Sequence, residues 1–300
     1  MSMQDVRPEP FQQAGKADAL LNAMSVDIED WFQVGAFESV IDRVDWDSLE
    51  HRVERNTDAV LSLFAEAGIT ATFFTLGWVA ERYPALMLRI TSAGHEIASH
   101  GYDHARVFSM TPDQFRNDLE RSRKLLEDSS GQAVTGYRAP SFSIDQRTPW
   151  AHEILAEQGY KYSSSVAPIN HDHYGWAGSP RFSWKPVNGA DLIELPVTTV
   201  KVGNRILAAG GGGFFRLLPY ALYDWAITKM QREEGRSAIF YFHPWEIDPD
   251  QPRVGNAPLK SKLRHYPRLS VMEAKLRRAA KDRAWGRVDE LAAIEAEMLK

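Results

Sequence analysis

Two hydrophobic periods alternate along this chain. Residues 23–28, Ala-Met-Ser-Val-Asp-Ile, form a short apolar run that breaks into acids, which predicts a buried strand. From Leu49 the apolar positions Val53, Val60, Phe64 and Ala67 recur at helical spacing, and Gly68 is placed to stop that helix. Residues 70–76 are β-branched and aromatic, hence a strand. Pro84 opens the next predicted helix, Gly94 ends it, and the short stretch 96–99 stands where another strand belongs. Thr111-Pro112-Asp113-Gln114 is a helix start with a hydroxyl cap, proline at the first helical position and glutamine three after the cap. Phe115, Leu119, Ser122 and Leu126 then form its inner stripe. Strands are predicted over 134–138, 160–164, 192–195 and 238–243, with helices from Thr148-Pro149 to Gly159 and over about 217–234. Strand and helix repeat in turn, which implies a mainly parallel sheet with helices outside, open or closed into a barrel.

Three stretches break this rhythm. Residues 1–22 carry no period and read as a flexible lead-in to a domain spanning 23–250. Residues 165–190, rich in His, Gly, Trp, Pro and Asn, read as a long binding loop. Gly210 to Gly213 lacks the Gly-Lys-Ser/Thr ending of a phosphate loop and reads as a flexible turn. After residue 250 a proline-rich linker leads into basic helical text at 271–283, so 251–300 is predicted to be a C-terminal helical extension with a solvated basic face.

Composition narrows the function classes. At 300 residues, 44% hydrophobic and 25% charged, the chain suits one large or two modest globular domains. No run approaches the roughly 18 apolar residues of a spanning helix, so no integral membrane segment is expected. The N-terminus shows no apolar stretch behind a basic start, and the expectation is cytoplasmic residence. The absence of cysteine excludes disulfides, thiolate metal sites and cysteine nucleophiles. A net charge of −5 is the wrong sign for wrapping nucleic acid by counterion release.

The chemistry-bearing residues share one placement. Asp27, Glu29 and Asp30 end the first predicted strand; His100 ends the third, with His104 in the following loop; Arg138 and His243 close two later strands. In parallel β/α architectures the strand C-termini share one face, where active sites are built. A lone histidine near a strand end is more often structural than ligating, and His51, His95, His152 and His265 are assigned to that class. The pair His100-Gly-Tyr-Asp-His104 differs, because residues four apart can converge on one metal from a single turn. Carboxylates ending an apolar strand would be costly without a cation or an arginine beside them.

Ser25-Val26-Asp27, His100-Gly-Tyr-Asp-His104, Arg138-Ala-Pro-Ser-Phe142 and Phe242-His243, in this order, resemble the motifs of the polysaccharide deacetylases, the NodB-homology fold of carbohydrate esterase family four. The resemblance spans about residues 23–250 and implies an α/β fold, a distorted (β/α) barrel. Val26-Asp-Ile-Glu-Asp-Trp31, Tyr241-Phe-His-Pro-Trp-Glu246 and Arg264-His-Tyr266 are similar to signatures of the subgroup found beside exosortase A systems, which also carries a C-terminal extension.

The resemblance implies a divalent metal, zinc first and Co²⁺, Mn²⁺ or Fe²⁺ as the other candidates, held by His100, His104 and one carboxylate. Asp27 would be the base, Arg138 its partner, and His243 the acid that protonates the departing amine. The implied substrate is a carbohydrate: an N-acetylhexosamine polysaccharide, or its lipid-linked precursor, in exopolysaccharide metabolism. The rivals are a hydrolase of small cyclic amides on the same scaffold and an inactive carbohydrate-binding scaffold.

Two positions depart from the family pattern. Where many relatives carry Asp-Asp, this chain has Asp27-Ile28-Glu29-Asp30. Glu29 shares a strand face with Asp27 if the strand persists, whereas Asp30 reaches the metal if the chain turns at Ile28. Tyr162-Ser163-Ser164 stands where relatives often place an aspartate that braces the acid histidine, so His243 is either braced from elsewhere or a weaker acid. Trp31, Tyr102, Pro140, Phe142, Trp176 and Trp245 are the candidate sugar contacts around the mouth.

Overall fold

The architecture follows from strands that are apolar on both faces. In the computed structural model, which describes residues 20–170 and 174–300, β1 (Asn22–Ile28) is buried at every position, as a strand covered on both sides must be. Residues 1–19 of the expected lead-in and 171–173 of the expected loop lie outside the described residues. β1 pairs in parallel with β2 (Thr72–Thr75), and the sheet continues through β3 (Glu96–Ser99), β4 (Gly136–Tyr137), β5 (Tyr162–Ser163) and β6 (Ile193–Glu194). On its other side β1 pairs in parallel with β9 (Ile239–Phe242), while β10 (Trp285–Gly286) pairs in parallel with the start of β1 on the β2 side.

Register aligns the strand ends. Ile28 sits opposite Thr75, Thr75 opposite Ser99, Ser99 opposite Tyr137, and Tyr137 opposite Ser163. Glu29, His100, Arg138, Ser164 and His243, the residues just past those ends, are therefore delivered to one rim of the sheet. Between β6 and β9 the segment 197–211 fills the gap and includes the antiparallel hairpin of β7 (Thr199–Val202) and β8 (Arg205–Ala208). The Val197 amide donates to the Val166 carbonyl, and the Tyr241 amide to the Gly210 carbonyl. This is the distortion of the barrel: one stave is irregular chain.

The helices cover the outside in the expected order: α1 (Val53–Ala67), α2 (Gly77–Arg82), α3 (Pro84–Ser92), α4 (Pro112–Ser130), α5 (Ala151–Glu157), α6 (Gly212–Leu217) and α7 (Tyr220–Glu234). Gly68 closes α1 in the left-handed region at φ 66°, and Thr111 with Gln114 makes both hydrogen bonds of the capping box that starts α4. The helix expected over about 217–234 is α7, which starts at Tyr220 just after Pro219; α6 is a further short helix before it. The glycine run is no flexible turn: a Cβ on Gly211 would stand 2.2 Å from the Tyr241 carbonyl oxygen, so glycine lets this backbone lie against β9.

Residues 251–300 contain α8 (Leu259–His265), α9 (Met272–Asp282), β10 and α10 (Val288–Met298). This segment is more than helical. β10 adds to the main sheet, and Val288, Leu291 and Ala292 of α10 share a core cluster with Ala23 and Phe74 of β1 and β2.

Candidate active site

At the end of β1 the pleat continues for one more residue, so Asp27 and Glu29 point to the same side. Both are buried. Asp27 accepts a 2.6 Å hydrogen bond at Oδ1 from Arg138, whose guanidinium is fully enclosed. Arg138 also donates to Ser25 Oγ at 2.8 Å and to the Ser164 hydroxyl and carbonyl at 3.0 and 3.1 Å, with its cation 4.0 Å above the Phe74 ring. Ser164, at the position where relatives often hold an acid, serves the arginine here.

His100 follows β3 and approaches the Arg138 carbonyl through Nδ1 at 2.8 Å. A carbonyl only accepts, so Nδ1 carries the proton and Nε2 is the free ligand atom. His104 turns back toward it from the left-handed region at φ 60°, and the two ring centroids stand 5.5 Å apart. Its Nε2 lies 2.9 Å from Glu29 Oε2, an oxygen that is buried and has no hydrogen-bond partner. One donor atom from each of Glu29, His100 and His104 lies within 4.8 Å of the others, the one such convergence among the described residues. A buried carboxylate oxygen that meets no hydrogen-bond donor in good geometry and faces two imidazoles fits a cation with ligand distances of about 2.1 Å.

The electrostatics agree with the geometry. Burial alone would raise the Glu29 carboxyl, but His104, His243 and His100 outweigh it and bring it down to about 2. Burial lowers His100 to about 4, against the pull of Asp27 and Glu29, and so keeps the ring neutral as a ligand must be. His243 is taken the other way: Glu29, Glu246 and Asp27 overcome its burial and raise it to about 9. Its Nε2 stands 3.6 Å from Glu29 Oε1 and 4.0 Å from Asp27 Oδ2, while Nδ1 meets Glu246 Oε1 at 3.0 Å. Glu246 is fully buried and is held at its other oxygen by buried Arg216 at 2.9 Å.

Asp30 does not join this group. Its Oδ2 accepts from the amides of Arg52 and Val53 at 2.6 and 2.9 Å, and its Oδ1 from the Trp31 amide at 2.8 Å. It satisfies the start of α1 from the opposite side of the chain, and burial raises it to about 6 against those three bonds. The alternative carboxylate is thereby corrected to a structural one.

The aromatic rim is corrected as well. Trp31 is buried in the core with its indole donating to the Glu50 carbonyl. Pro140 is buried, and Phe142 is buried edge-on against Tyr241. Tyr102 is half-buried with its ring face covered by Arg121 at 3.3 Å, and Trp176 is half-buried against the core. Trp245 is buried and stacks on the rings of His243 and His265. Large flat side chains gain most by covering apolar surface, so ring faces expected at the mouth are spent inside. The open surface beside His104 is instead a groove of about 560 Å³, bordered by Gln33, Asp42, Arg43, Val44, Trp46 and Asp103. No sequence period marks it, because its residues come from an irregular stretch.

Sequence reasoning gave no role at the site to Arg216 or Glu246, and placed His265 among the structural histidines. The signal for Glu246 was its position three residues after His243. His51, His95 and His152 do lie in structural hydrogen bonds away from the cluster.

Comparison with known proteins bears on the whole chain. Residues 44–163 match the family model described as polysaccharide deacetylase, and residues 164–293 match a domain of unknown function, DUF3473. A peptidoglycan deacetylase of Helicobacter pylori is 36% identical over 107 residues, 36% of this chain and 36% of that protein. The chain thus aligns with about a third of that relative's length. The crystal structure of a candidate polysaccharide deacetylase from Mycobacterium smegmatis superposes with TM-score 0.61 at 20% identity, covering 97% of this chain and 96% of the other. The Puue allantoinase superposes with TM-score 0.59 at 15% identity, over 93% and 91%. At such identities these likenesses speak for the fold alone.

Proposed function

We propose that the chain, whose residues 44–163 match the polysaccharide deacetylase family model, is a divalent-metal-dependent N-deacetylase of an N-acetylhexosamine polymer or its lipid-linked precursor. The observation that carries this reading is the unpartnered Glu29 Oε2 beside the imidazoles of His100 and His104. These three residues would hold the cation, and zinc suits one carboxylate with two imidazoles. When bound, such a cation supplies Lewis acidity, polarising the acetamide carbonyl and lowering the pKa of water.

The remaining chemistry belongs to the side chains. Arg138 occupies one oxygen of Asp27 and leaves Oδ2 to take a proton from the water that attacks the carbonyl carbon. As the C–N bond breaks, His243 gives its Nε2 proton to the sugar amine. Acetate and free amine leave. Glu246 holds Nδ1, so the Nε2 proton is aimed into the site. The groove beside His104 offers room for neighbouring sugar units. A role in exopolysaccharide metabolism, and the exosortase A subgroup, are part of the proposal. The subgroup's signatures meet in space, with Glu29, Trp245 and His265 in contact.

A cyclic-amide hydrolase shares the scaffold, and an inert binding scaffold would have no use for a buried Asp27–Arg138 pair. The test is acetate release from N-acetylglucosamine oligomers with and without excess chelator, with allantoin as the rival substrate. Acetate that appears only with metal supports the proposal; full release in chelator, or ring opening of allantoin without acetate release, overturns it. Glu246→Gln is expected to lower turnover by about 100-fold with metal content unchanged, since glutamine can present its amino group to Nδ1 and favour the wrong tautomer. Steady-state kinetics beside metal analysis checks this.

A further inference from the structure

The carboxylate of Glu29 has two oxygens with separate tasks. Oε2 faces the two histidines, while Oε1 accepts a 3.1 Å hydrogen bond from the indole Nε1 of Trp245. A metal-binding carboxylate is held in place by such an outer bond. The indole, in turn, is not free to swing. It stacks on His265 at 4.1 Å between centroids and 15° between planes, and on His243 at 5.1 Å and 18°.

His265 ends α8, in the segment after residue 250, and is buried. Its Nε2 meets Gln251 Oε1 at 2.5 Å, and the amino group of Gln251 donates to the carbonyls of Trp245 and Asp248 at 2.8 and 3.0 Å. The same segment thus grips Trp245 at both its ring and its backbone. A second tie comes from Arg264, whose carbonyl accepts from Arg216 at 2.8 Å.

We propose that the segment 251–271 is a positioning part of the metal centre: His265 backs the Trp245 indole, and the indole sets Glu29 in the orientation that holds the cation. This rests on the metal-dependent reading above and assigns a task to part of the chain matched by the domain of unknown function. Trp245 and His265 act through Glu29 and are positioning residues. They touch neither substrate nor cation.

The test is zinc affinity of the full chain, measured by competition with a chromophoric chelator, with circular dichroism and a thermal melt confirming the fold of each variant. Trp245→Phe keeps a flat ring but loses the donor, and is expected to weaken zinc binding by about 10- to 100-fold. His265→Ala is expected to weaken it by roughly 10-fold, whereas His265→Phe, which restores a flat backing, stays near the wild type. The double variant Trp245→Phe/His265→Ala binds no more weakly than Trp245→Phe alone, because both act along one path. Wild-type affinity in Trp245→Phe, or fully additive losses in the double variant, overturns the inference while the metal reading stands. A wild-type chain that binds no zinc overturns both. Should His265→Ala fail to fold, Trp245→Phe decides.

Discussion

His100→Ala is expected to empty the metal site and abolish acetate release together. On the proposed reading the ring would supply one of three protein ligands through Nε2, with its Nδ1 proton tied to the Arg138 carbonyl. Even loss of an outer hydrogen-bond partner costs a metal site about 10- to 100-fold in affinity, so loss of a ligand is expected to cost at least about 100-fold. The buried carbonyl of Arg138 also loses its donor, and the melting temperature is expected to fall modestly. Metal analysis of the purified variant beside an acetate assay checks this. Stoichiometric zinc in His100→Ala would remove the basis for the ligand assignment.

Asp27→Asn separates the metal from the proton. Asp27 is not one of the three clustered ligands, and the zinc content is expected to stay at the wild-type level. Turnover is expected to fall by about 100- to 10,000-fold, the range set by loss of a general base. A second effect comes from the interior. Arg138 is fully buried and Asp27 is its ion-pair partner, so the amide leaves a cation without a counter-charge. Breaking a buried pair costs about 3 kcal/mol or more, softened here because Ser25 and Ser164 keep their bonds to the guanidinium. The variant is therefore expected to melt lower yet remain folded at assay temperature. Acetate release close to wild type in a metal-replete Asp27→Asn would assign the base elsewhere.

How the site could be read in advance varied by residue. The rim positions of Glu29, His100, Arg138 and His243 were legible because a strand end is legible: an apolar run stops, and the next residue stands on the rim; Asp27 lies two residues before Glu29, inside β1. His104 was legible through its spacing from His100. Glu29 and Asp30 could not be separated by pattern, because the choice depends on whether the strand runs one residue beyond Ile28. Tertiary contact answers it: the open amides of Arg52 and Val53 draw Asp30 to the start of α1 and leave Glu29 on the Asp27 face. Most of the expected sugar contacts, Trp31, Pro140, Phe142 and Trp245, are buried for one reason. Composition reveals how many aromatic rings there are, while burial depends on which apolar surfaces meet.

The amino-acid pattern alone determined the alternation of strand and helix, the caps at Thr111 and Gly68, and the set of residues carried to one rim. These are local matters, settled by period, backbone freedom and the hydrogen bonds of neighbours in the chain. The three-dimensional packing alone decided which carboxylate faces the histidines, that Glu246 with Arg216 braces His243, and that a ring some twenty residues beyond Trp245 backs its indole. Contacts between residues far apart in the chain leave no periodic trace. They become visible when the sheet curls and brings distant ends within hydrogen-bond reach.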